Sequence, residues 1–335
     1  MSWAAAISLV VLGLGALYWL TAAVLGERTF RAVPLLDGRS PAPAVWPKVS
    51  VLIPARDEAA TIGPALRSHL VVDYPEVEWI VVDDRSRDAT GAIIDQIAAG
   101  DRRIKVLHLA DLPAGWLGKV HALHQAVQRA TGDWLLAMDA DVDLAPAALR
   151  AAVAYSEARG LDFLTAMPRL RGAGVLVDAA TAVMERALNG MGRVWQASDP
   201  SSAVAYGIGA FCLVRRSALA RTPGFEWLRL EVADDMGLAF MLKRSGARCG
   251  VVNGRDLLAI TFYRSIGEMF CRMEKGAWAI IGRFRLIRAC GFALLLPALE
   301  LAAVVGFLPF GVGWLPVVAG ATMLLALSSC VRAGR

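Results

Sequence analysis

Charged residues are scarce in this chain. Only 19% of its 335 residues are Asp, Glu, Lys or Arg, whereas 56% are hydrophobic, and the mean hydropathy is +0.50. A soluble globular enzyme of this size carries more charge and fewer apolar residues. The composition therefore predicts that part of the chain lies in lipid.

Paired cysteines are also missing from the sequence. No two of the five cysteines form a CxxC motif: they are Cys212, Cys249, Cys271, Cys290 and Cys330. This spacing favours neither a zinc site nor a disulfide framework, and it agrees with a reducing compartment. The net charge of +5 is concentrated beside the apolar segments, with no basic patch interleaved with aromatics. We therefore expect attraction to anionic lipid and no nucleic-acid partner.

Two apolar regions account for the hydrophobic excess. Residues 3–25 carry no charge over the roughly 20 residues that a helix needs to cross the hydrocarbon core. A signal peptide is the alternative for this segment, but no basic region precedes it and no small-residue cleavage site clearly ends it. Residues 289–331 are long enough for a hairpin of two spans. The flanking Lys and Arg residues then predict a multi-pass protein of the inner membrane, with residues 27–288 in the cytoplasm.

The region between these segments has the pattern of an α/β domain. It follows an expected anchor at 1–26 and a proline-containing linker at 27–47, and it covers 48–262. Short apolar runs alternate there with helical ones, as in KVSVLIPA before ATIGPALRSHLV and VEWIVVDD before DATGAIIDQIAA. Continuous Val, Ile and Leu runs followed by helices are typical of a parallel sheet covered on both faces. We therefore expect a doubly wound, mostly parallel sheet.

Acidic residues collect where the predicted strands end. They are Asp57 and Glu58 after the first strand, Asp83 and Asp84 after the second, and Asp139 and Asp141 after the fourth, within the run WLLAMDADVDL. Ligands of such sheets bind beyond the carboxyl ends of the strands. Clustered acids repel each other unless a cation neutralises them, and oxygen ligands suit Mg²⁺ or Mn²⁺. The alternative is that these acids only solvate a loop and cap the next helix, which we favour for Asp143.

Several motifs together resemble family 2 glycosyltransferases of the GT-A fold. Their joint order is more specific than any single motif, and the resemblance covers about residues 48–280. The block GWLGK resembles the hopanoid-associated and carotenoid glycosyltransferases and, more remotely, ceramide glucosyltransferase. The motifs are VSVLIPARDEAATI (49–62), VVDDRSRDAT (81–90), GWLGKVHAL (115–123), DAD (139–141) and DDMGLAFMLKRSG (234–246).

The resemblance implies a pocket for a nucleotide-sugar donor, with a UDP-sugar expected. Either Asp83 or Asp84 would recognise the base or ribose. Lys119 would contact the diphosphate, a role that suits a compact ammonium on a flexible stem, although a turn followed by a surface lysine is the alternative. The residues assigned to the donor are Pro54, Asp57, Glu58, Asp83, Asp84, Lys119 and Asp139.

Asp139 and Asp141 match the DxD motif of the family. The resemblance implies that Mg²⁺ or Mn²⁺ binds Asp141 and both phosphates, with Asp139 beside it. His121 and His124 lie three positions apart on a predicted helix and have no third ligand nearby in the sequence. We therefore assign the two histidines to structure.

An acidic pair opens the last motif. In the family, the second residue of such a pair is the general base, which matches Asp235, with Leu238 after it and Asp234 before it. Asp235 would accept the proton of the acceptor hydroxyl as its oxygen attacks the sugar. One displacement implies inversion at the anomeric carbon. The alternative role for both acids is to cap the N-terminus of the helix and to interact favourably with its dipole.

The expected acceptor side is less well marked. GIGAFCLVRR (207–216), with Gly207 and Gly209, resembles the glycine-rich strand that faces the acceptor pocket, although a buried strand explains it equally well. The QxxRW motif of processive relatives is absent, which argues against polymer synthesis, and it is replaced only loosely by Arg272, Lys275 and Trp278.

Residues 263–288 have basic and apolar side chains at helical spacing. This pattern predicts an amphipathic helix in the membrane interface, with an ordinary core-facing helix as an equal alternative. Glu300 would lie within the second span, where it is either protonated or lines the path of the acceptor.

The sequence as a whole predicts an inverting glycosyltransferase that moves a sugar to a membrane lipid in hopanoid or carotenoid metabolism. Alternatives are a polyprenyl-phosphate or ceramide-type transferase and, outside enzymes, a silent membrane scaffold. The sequence does not specify the sugar, the lipid or the oligomeric state.

Overall fold

The computed structural model describes residues 3–269 continuously, together with 271, 285–288, 290–291, 294–295, 298 and 321. The hairpin expected at 289–331 falls almost entirely outside the described residues. Most of the amphipathic helix expected at 263–288 does so too. Four individual residues with expected roles are also outside: Arg272, Lys275, Trp278 and Glu300.

The chain divides into two compact units. The larger unit comprises residues 33–173 and 196–264, and the smaller one comprises residues 1–32, 174–195 and 265–335. Among the described residues, the strands all lie in the larger unit: β1 Val49–Ala55, β2 Val77–Asp84, β3 Ile104–Leu109, β4 Trp134–Ala137, β5 Asp143–Leu144, β6 Phe163–Met167, β7 Arg169–Leu170, β8 Cys212–Arg215, β9 Cys249–Asn253 and β10 Leu258–Ile260.

The main sheet has the strand order β3-β2-β1-β4-β8-β6-β9. Strands β1 to β4 are parallel to one another, as are β6 and β9, whereas β8 runs antiparallel to both β4 and β6. A small second sheet has the order β5-β10-β7. The prediction of a mostly parallel α/β sheet is confirmed.

Helices follow the strands in the predicted alternation. They are α1 Trp3–Ala32, α2 Ile62–Leu70, α3 Thr90–Ala98, α4 Gly118–Arg129, α5 Ala148–Arg159, α6 Val175–Met191, α7 Arg216–Leu219 and α8 Asp234–Arg244, with 3₁₀ turns at Val194–Gln196 and Gly224–Glu226. Consecutive residues of β1 point to opposite faces of the sheet, so each face carries its own core. One core includes Val51, Ile53, Ile62, Ile94 and Leu149, and the other includes Leu52, Ile80, Val120, Leu123 and Leu242.

The strand expected to continue into the acids ends before them. β4 ends at Ala137; the N–H of Met138 still donates to the carbonyl of Leu52 in β1 (3.1 Å), and the N–H of Asp139 donates to the carbonyl of Gly209 (3.0 Å) in the loop before β8. The acids therefore lie in a loop at the edge of the sheet.

Asp143 does not cap a helix, so that expectation was wrong. The residue before α5 is Ala147, without a side-chain hydrogen bond. Asp143 instead lies in β5, where it pairs with β10, and its carboxylate forms an ion pair with Arg171.

The first helix is longer than expected. α1 continues past residue 26 to Ala32, so the linker begins at residue 33. Local contacts support the added turn: the Thr29 hydroxyl donates to the Leu25 carbonyl (3.0 Å), and Arg31 forms an ion pair with Glu27 (2.8 Å). Among the described residues, one helical segment, residues 10–32, is long and apolar enough to cross a bilayer, with a mean hydropathy of 1.6.

The smaller unit pairs this helix with α6, a segment that lies inside the range expected to form the catalytic domain. Leu12 and Trp19 of α1 are buried, and the guanidinium of Arg186 lies 4.4 Å from the centre of the Trp19 ring.

A buried carboxylate connects the strands at the opposite edge from the acids described above. Glu78 of β2 accepts hydrogen bonds from Ser50, from the N–H (2.7 Å) and hydroxyl (2.9 Å) of Thr131, and from Lys105 (2.7 Å). Desolvation alone would raise the pKa of Glu78, but these hydrogen bonds outweigh it and lower the pKa to about 2. The charged form is therefore the stable one in the fold.

We expect Glu78→Gln to reduce the free energy of unfolding by about 2 kcal/mol, because it removes charge-assisted hydrogen bonds. This corresponds to a fall in Tm of about 5 °C. The folded-state pKa of about 2 lies below the ordinary 4.5, so the carboxylate stabilises the fold above about pH 4.5 and loses this effect as the pH falls toward 2.

Thermal unfolding in detergent at pH 7 and pH 3 measures both effects. The exposed neighbour Glu76 provides the control variant Glu76→Gln. A Glu78→Gln difference from wild type that is as large at pH 3 as at pH 7 would contradict the assigned pKa.

Candidate functional site

A small cavity opens at the sheet edge where β1 and β4 end. Its lining comes from β1, from α4, from the loop after β4, from the start of β8 and from the start of α8. The lining residues are Pro54, Lys119, Leu123, Ala137, Met138, Asp139, Gly209, Cys212, Asp234, Asp235 and Leu238. Predicted donor, metal and base residues, distant in sequence, therefore meet around one space.

The reversed direction of β8 makes this meeting possible. Because β8 is antiparallel to β4, its first residues lie at the edge where β4 ends. The loop that precedes β8, with Gly207 and Gly209, thus reaches the same edge as the loop that follows β4. The hydrogen bond from the Asp139 N–H to the Gly209 carbonyl joins the two loops.

Lys119 stands between two of the acids. Its ammonium nitrogen lies 2.8 Å from Oδ1 of Asp139 and 3.1 Å from Oδ1 of Asp234. Desolvation would lower the pKa of Lys119, but the charges of Asp139, Asp234 and Asp235 outweigh it and raise the pKa well above its ordinary value. The lysine is therefore charged and neutralises part of the acidic cluster.

The start of α4 is fixed by a neighbouring loop. The N–H of Leu117, the residue before α4, donates to the carbonyl of Arg229 (2.7 Å). The rings of Trp116 and His121 pack edge to face at 5.5 Å, and Trp116 also contacts His124 at 5.0 Å. These packing contacts support the structural role expected for both histidines.

Asp235 is held by backbone amides. Its Oδ2 accepts from the N–H of Gly209 (2.7 Å) and its Oδ1 accepts from the N–H of Met236 (2.7 Å). Burial, followed by the charge of Asp234, raises the pKa of Asp235. A carboxylate that is both fixed in position and more basic than usual is suited to accept a proton.

Two glycines allow this close approach. A Cβ atom on Gly207 would clash with the backbone carbonyl of Asp235, and one on Gly209 would lie 2.6 Å from Oδ2 of Asp139. Gly207 is thus required by the backbone contact between the loop before β8 and the start of α8, whereas a Cβ atom at 209 would meet only the end of the Asp139 side chain.

Asp83 and Asp84 point to opposite sides of the sheet. Asp84 is buried, and its two carboxylate oxygens accept hydrogen bonds from the Arg85 guanidinium (2.7 and 3.0 Å). The same carboxylate lies against Gly118 at the start of α4. Asp83 lies on the α3 side, where it binds His108 (2.9 Å). Of the two, Asp84 is therefore on the same side of the sheet as Lys119.

Asp57 and Glu58 lie outside the cavity lining and connect two loops. The carboxylate of Asp57 accepts from the N–H of Arg87 (2.7 Å), and the N–H of Glu58 donates to the Thr90 hydroxyl (2.8 Å). Asp57 has φ +54°, a conformation that non-glycine residues adopt rarely. These contacts fix the loop after β1 against the loop after β2. Asp141 also lies outside the lining.

Sequence reasoning missed several apolar lining residues. Cys212 is the clearest: its thiol donates to the carbonyl of Ile208 (3.2 Å), and burial raises the pKa of that thiol. Leu123 and Met138 also line the cavity. The four-residue spacing of Leu123 from Lys119 on a helix would have placed both on one face.

For a divalent cation, only the chemistry of the available oxygen ligands fits. Asp139 and Asp141 supply hard oxygen atoms, and Mg²⁺-type sites commonly use one or two carboxylates and complete their shell with phosphate oxygens. Within the part of the chain that the structure describes, no group of three or more His, Cys, Asp or Glu side chains is arranged to hold a metal ion. The expected Mg²⁺ or Mn²⁺ therefore stays a prediction, for which these two carboxylates would supply part of the ligand shell.

Comparison with known proteins gives a family match over most of the chain. Residues 47–276 match the model of the family described as "Glycosyltransferase like family 2". The match includes every lining residue of the cavity.

Two curated relatives illustrate the similarity. Beta-monoglucosyldiacylglycerol synthase from Synechocystis sp. is 26% identical over 70% of this chain and 50% of its own length. Glycosyltransferase AglD from Haloferax volcanii is 34% identical over 47% of this chain and 26% of its own length. The chain thus spans half or less of the length of these relatives.

A solved structure shares the fold. The mannosyltransferase PcManGT from Pyrobaculum calidifontis, in complex with GDP-Man and Mn²⁺, aligns with a TM-score of 0.59 at 20% identity. The alignment covers 96% of this chain and 87% of the mannosyltransferase. This likeness confirms the predicted GT-A fold.

We expect Gly207→Ala to destabilise the larger unit, because the added methyl group requires the start of α8 to move. Overpacking of this kind costs about 1–3 kcal/mol, which thermal unfolding would register as a Tm lower by several degrees.

Gly100→Ala is the matched control, since the nearest atom to its added Cβ would be at 3.5 Å, an ordinary contact. Equal Tm values for the two variants would show that the contact between Gly207 and Asp235 is not as tight as described.

Proposed function

Since the chain belongs to glycosyltransferase family 2, we propose that it transfers a sugar from a nucleotide-sugar to a hydroxyl group of a membrane lipid, with inversion at the anomeric carbon. The single observation that carries this proposal is the meeting of Lys119, Asp139 and Asp235 around one cavity. A cation for a diphosphate and a carboxylate base are thereby placed within one site.

Asp235 is the general base of the proposed reaction. Two amide hydrogen bonds orient its carboxylate, and its environment favours proton uptake. It accepts the hydroxyl proton while the acceptor oxygen attacks the anomeric carbon from the face opposite the leaving nucleotide. A single displacement needs no covalent intermediate, which is why inversion follows.

Two of the proposed donor residues, Lys119 and Pro54, line the same cavity. The Lys119 ammonium contacts the diphosphate and offsets the charge that develops on the leaving group. Pro54 at the end of β1 contributes the wall beside it. Asp84, which lies on the α4 side, is our choice over Asp83 for contact with the base or ribose, and Asp57 and Glu58 support the pocket through their loops.

Asp141 and Asp139 would hold Mg²⁺ or Mn²⁺ together with the phosphates. When bound, such an ion acts as a Lewis acid on the diphosphate leaving group. The Pyrobaculum structure, described as a complex with GDP-Man and Mn²⁺, supports this proposal at the level of the fold.

The proposed acceptor is an isoprenoid lipid of the hopanoid or carotenoid type. The GWLGK block supports this choice, and the apolar helix at 10–32 supports a membrane location, which we propose to be the inner membrane. Gly207 and Gly209 would border the acceptor. The name of the Synechocystis relative indicates a glucosylated diacylglycerol, so diacylglycerol is the acceptor to compare directly.

Transfer assays on the full chain test this function. Membranes containing native lipid, hopanoid or diacylglycerol are incubated with labelled UDP- and GDP-sugars in the presence of Mn²⁺, Mg²⁺ or EDTA. We expect metal-dependent formation of a glycolipid, with at least about a 100-fold loss in Asp235→Asn, in keeping with removal of a general base, and a comparable loss in Asp141→Ala.

Asp256→Asn is the control, because this exposed carboxylate pairs with Arg169 outside the cavity. Product retaining the anomeric configuration of the donor would contradict the single displacement. Absence of nucleotide binding and of turnover with every donor would favour a silent scaffold instead.

A further inference from the structure

The position of the Lys119 ammonium is the starting observation. It bridges two carboxylates from different parts of the chain, Asp139 after β4 and Asp234 at the start of α8, at 2.8 and 3.1 Å. A divalent cation on the carboxylate of Asp139 would lie within a few ångströms of this ammonium. Like charges repel strongly at that distance when the surroundings are poor in water.

The neighbouring acids differ in how far Lys119 stabilises their negative charge. Asp235 is satisfied by the amides of Gly209 and Met236. Asp139 and Asp234 instead place an oxygen directly against the ammonium. The side chain of Asp234 is 13% exposed, so the lysine replaces much of the water that would otherwise stabilise its charge. Lys119 is therefore the counter-ion that keeps these two acids together.

The lysine is also able to leave. Its side chain is 39% exposed and has a flexible stem, and the cavity beside it is where we place the donor diphosphate. The diphosphate of a nucleotide-sugar carries two negative charges, as the two carboxylates together do, so it can replace Asp139 and Asp234 as the partner of the ammonium. Movement of Lys119 toward it would uncover an oxygen of Asp139.

We propose that Lys119 is an internal counter-ion that stays between Asp139 and Asp234, and so covers the Asp139 oxygen that a metal would need, until a nucleoside diphosphate draws it away. A divalent cation then binds well only after, or together with, the nucleotide. This inference rests on the proposed function, which supplies the diphosphate. It makes Lys119 a positioning residue that sets the order in which metal and donor bind.

Direct measurement of Mn²⁺ binding tests the proposal without turnover. The free Mn²⁺ signal in electron paramagnetic resonance is titrated with the full chain in detergent, with and without UDP or GDP. In wild type, Mn²⁺ alone should bind weakly, and the nucleotide should tighten its Kd at least about tenfold, within the range typical of coupled sites.

Lys119→Met removes the competing charge, so Mn²⁺ alone should bind at least about tenfold more tightly than to wild type, with the enhancement by nucleotide reduced. Lys119→Arg retains a cation and should behave as wild type does. Lys48→Met is the matched control, since Lys48 pairs with Glu78 (3.6 Å) outside the cavity. Should Lys119→Met fail to fold, Lys119→Gln, which keeps a hydrogen-bond donor without charge, gives the same test.

An unchanged Mn²⁺ affinity in a folded variant without the charge would overturn the proposal, as would wild type that binds Mn²⁺ equally well with and without nucleotide. The function and the inference fail separately. If wild type transfers the sugar but the Lys119 variants bind Mn²⁺ as wild type does, the proposed function stands and the counter-ion role is rejected. If the variants bind Mn²⁺ more tightly but wild type transfers no sugar, the counter-ion role stands and the proposed function is rejected.

Discussion

Repulsion between carboxylates is the constraint around which this protein's sheet edge is arranged. Asp139, Asp234 and Asp235 line one small cavity, and burial disfavours the charges of Asp234 and Asp235. Contacts at this edge offset the repulsion and the loss of water: the Lys119 ammonium bridges two of the acids, and backbone amides orient the third. The same arrangement that makes the acids tolerable also creates a place that is attractive to a phosphate-bearing ligand and its cation.

The topology of the sheet makes this compensation possible. Parallel strands deliver only the loops that follow them to the carboxyl edge, whereas the antiparallel β8 delivers the loop that precedes it. Glycines at 207 and 209 then let that loop approach the acids within ordinary contact distance. At the opposite edge Glu78 connects neighbouring strands, and none of the described residues that line the cavity lies there.

Much of the fold could be predicted from the sequence, because apolar runs and helical spacing are local signals that packing on both sheet faces requires. The convergence of Pro54, Lys119, Asp139 and Asp235 followed from strand ends and from family resemblance. The Lys119 to Asp234 ion pair could not be predicted, because sequence spacing does not specify a side-chain conformation across 115 positions. The end of α1 was missed because charged residues at 27–31 look like a linker, although their ion pair extends the helix. The loop-connecting contacts of Asp57 and Glu58 depend on backbone geometry that the motif does not reveal.

The position of β8 between β4 and β6 also has a consequence for the nascent chain during synthesis. Asp139 leaves the ribosome 96 positions before Asp235, which is about 5–20 s of synthesis at typical rates. During this interval the parallel strands β1 to β4 can assemble, but the second acid that anchors Lys119, Asp234, does not yet exist. The nascent half-sheet exposes an unpaired edge on β4 that only β8 covers. Premature pairing of this edge with another chain is thus the characteristic hazard of the architecture, and a chaperone acting at this stage would protect β4 above all.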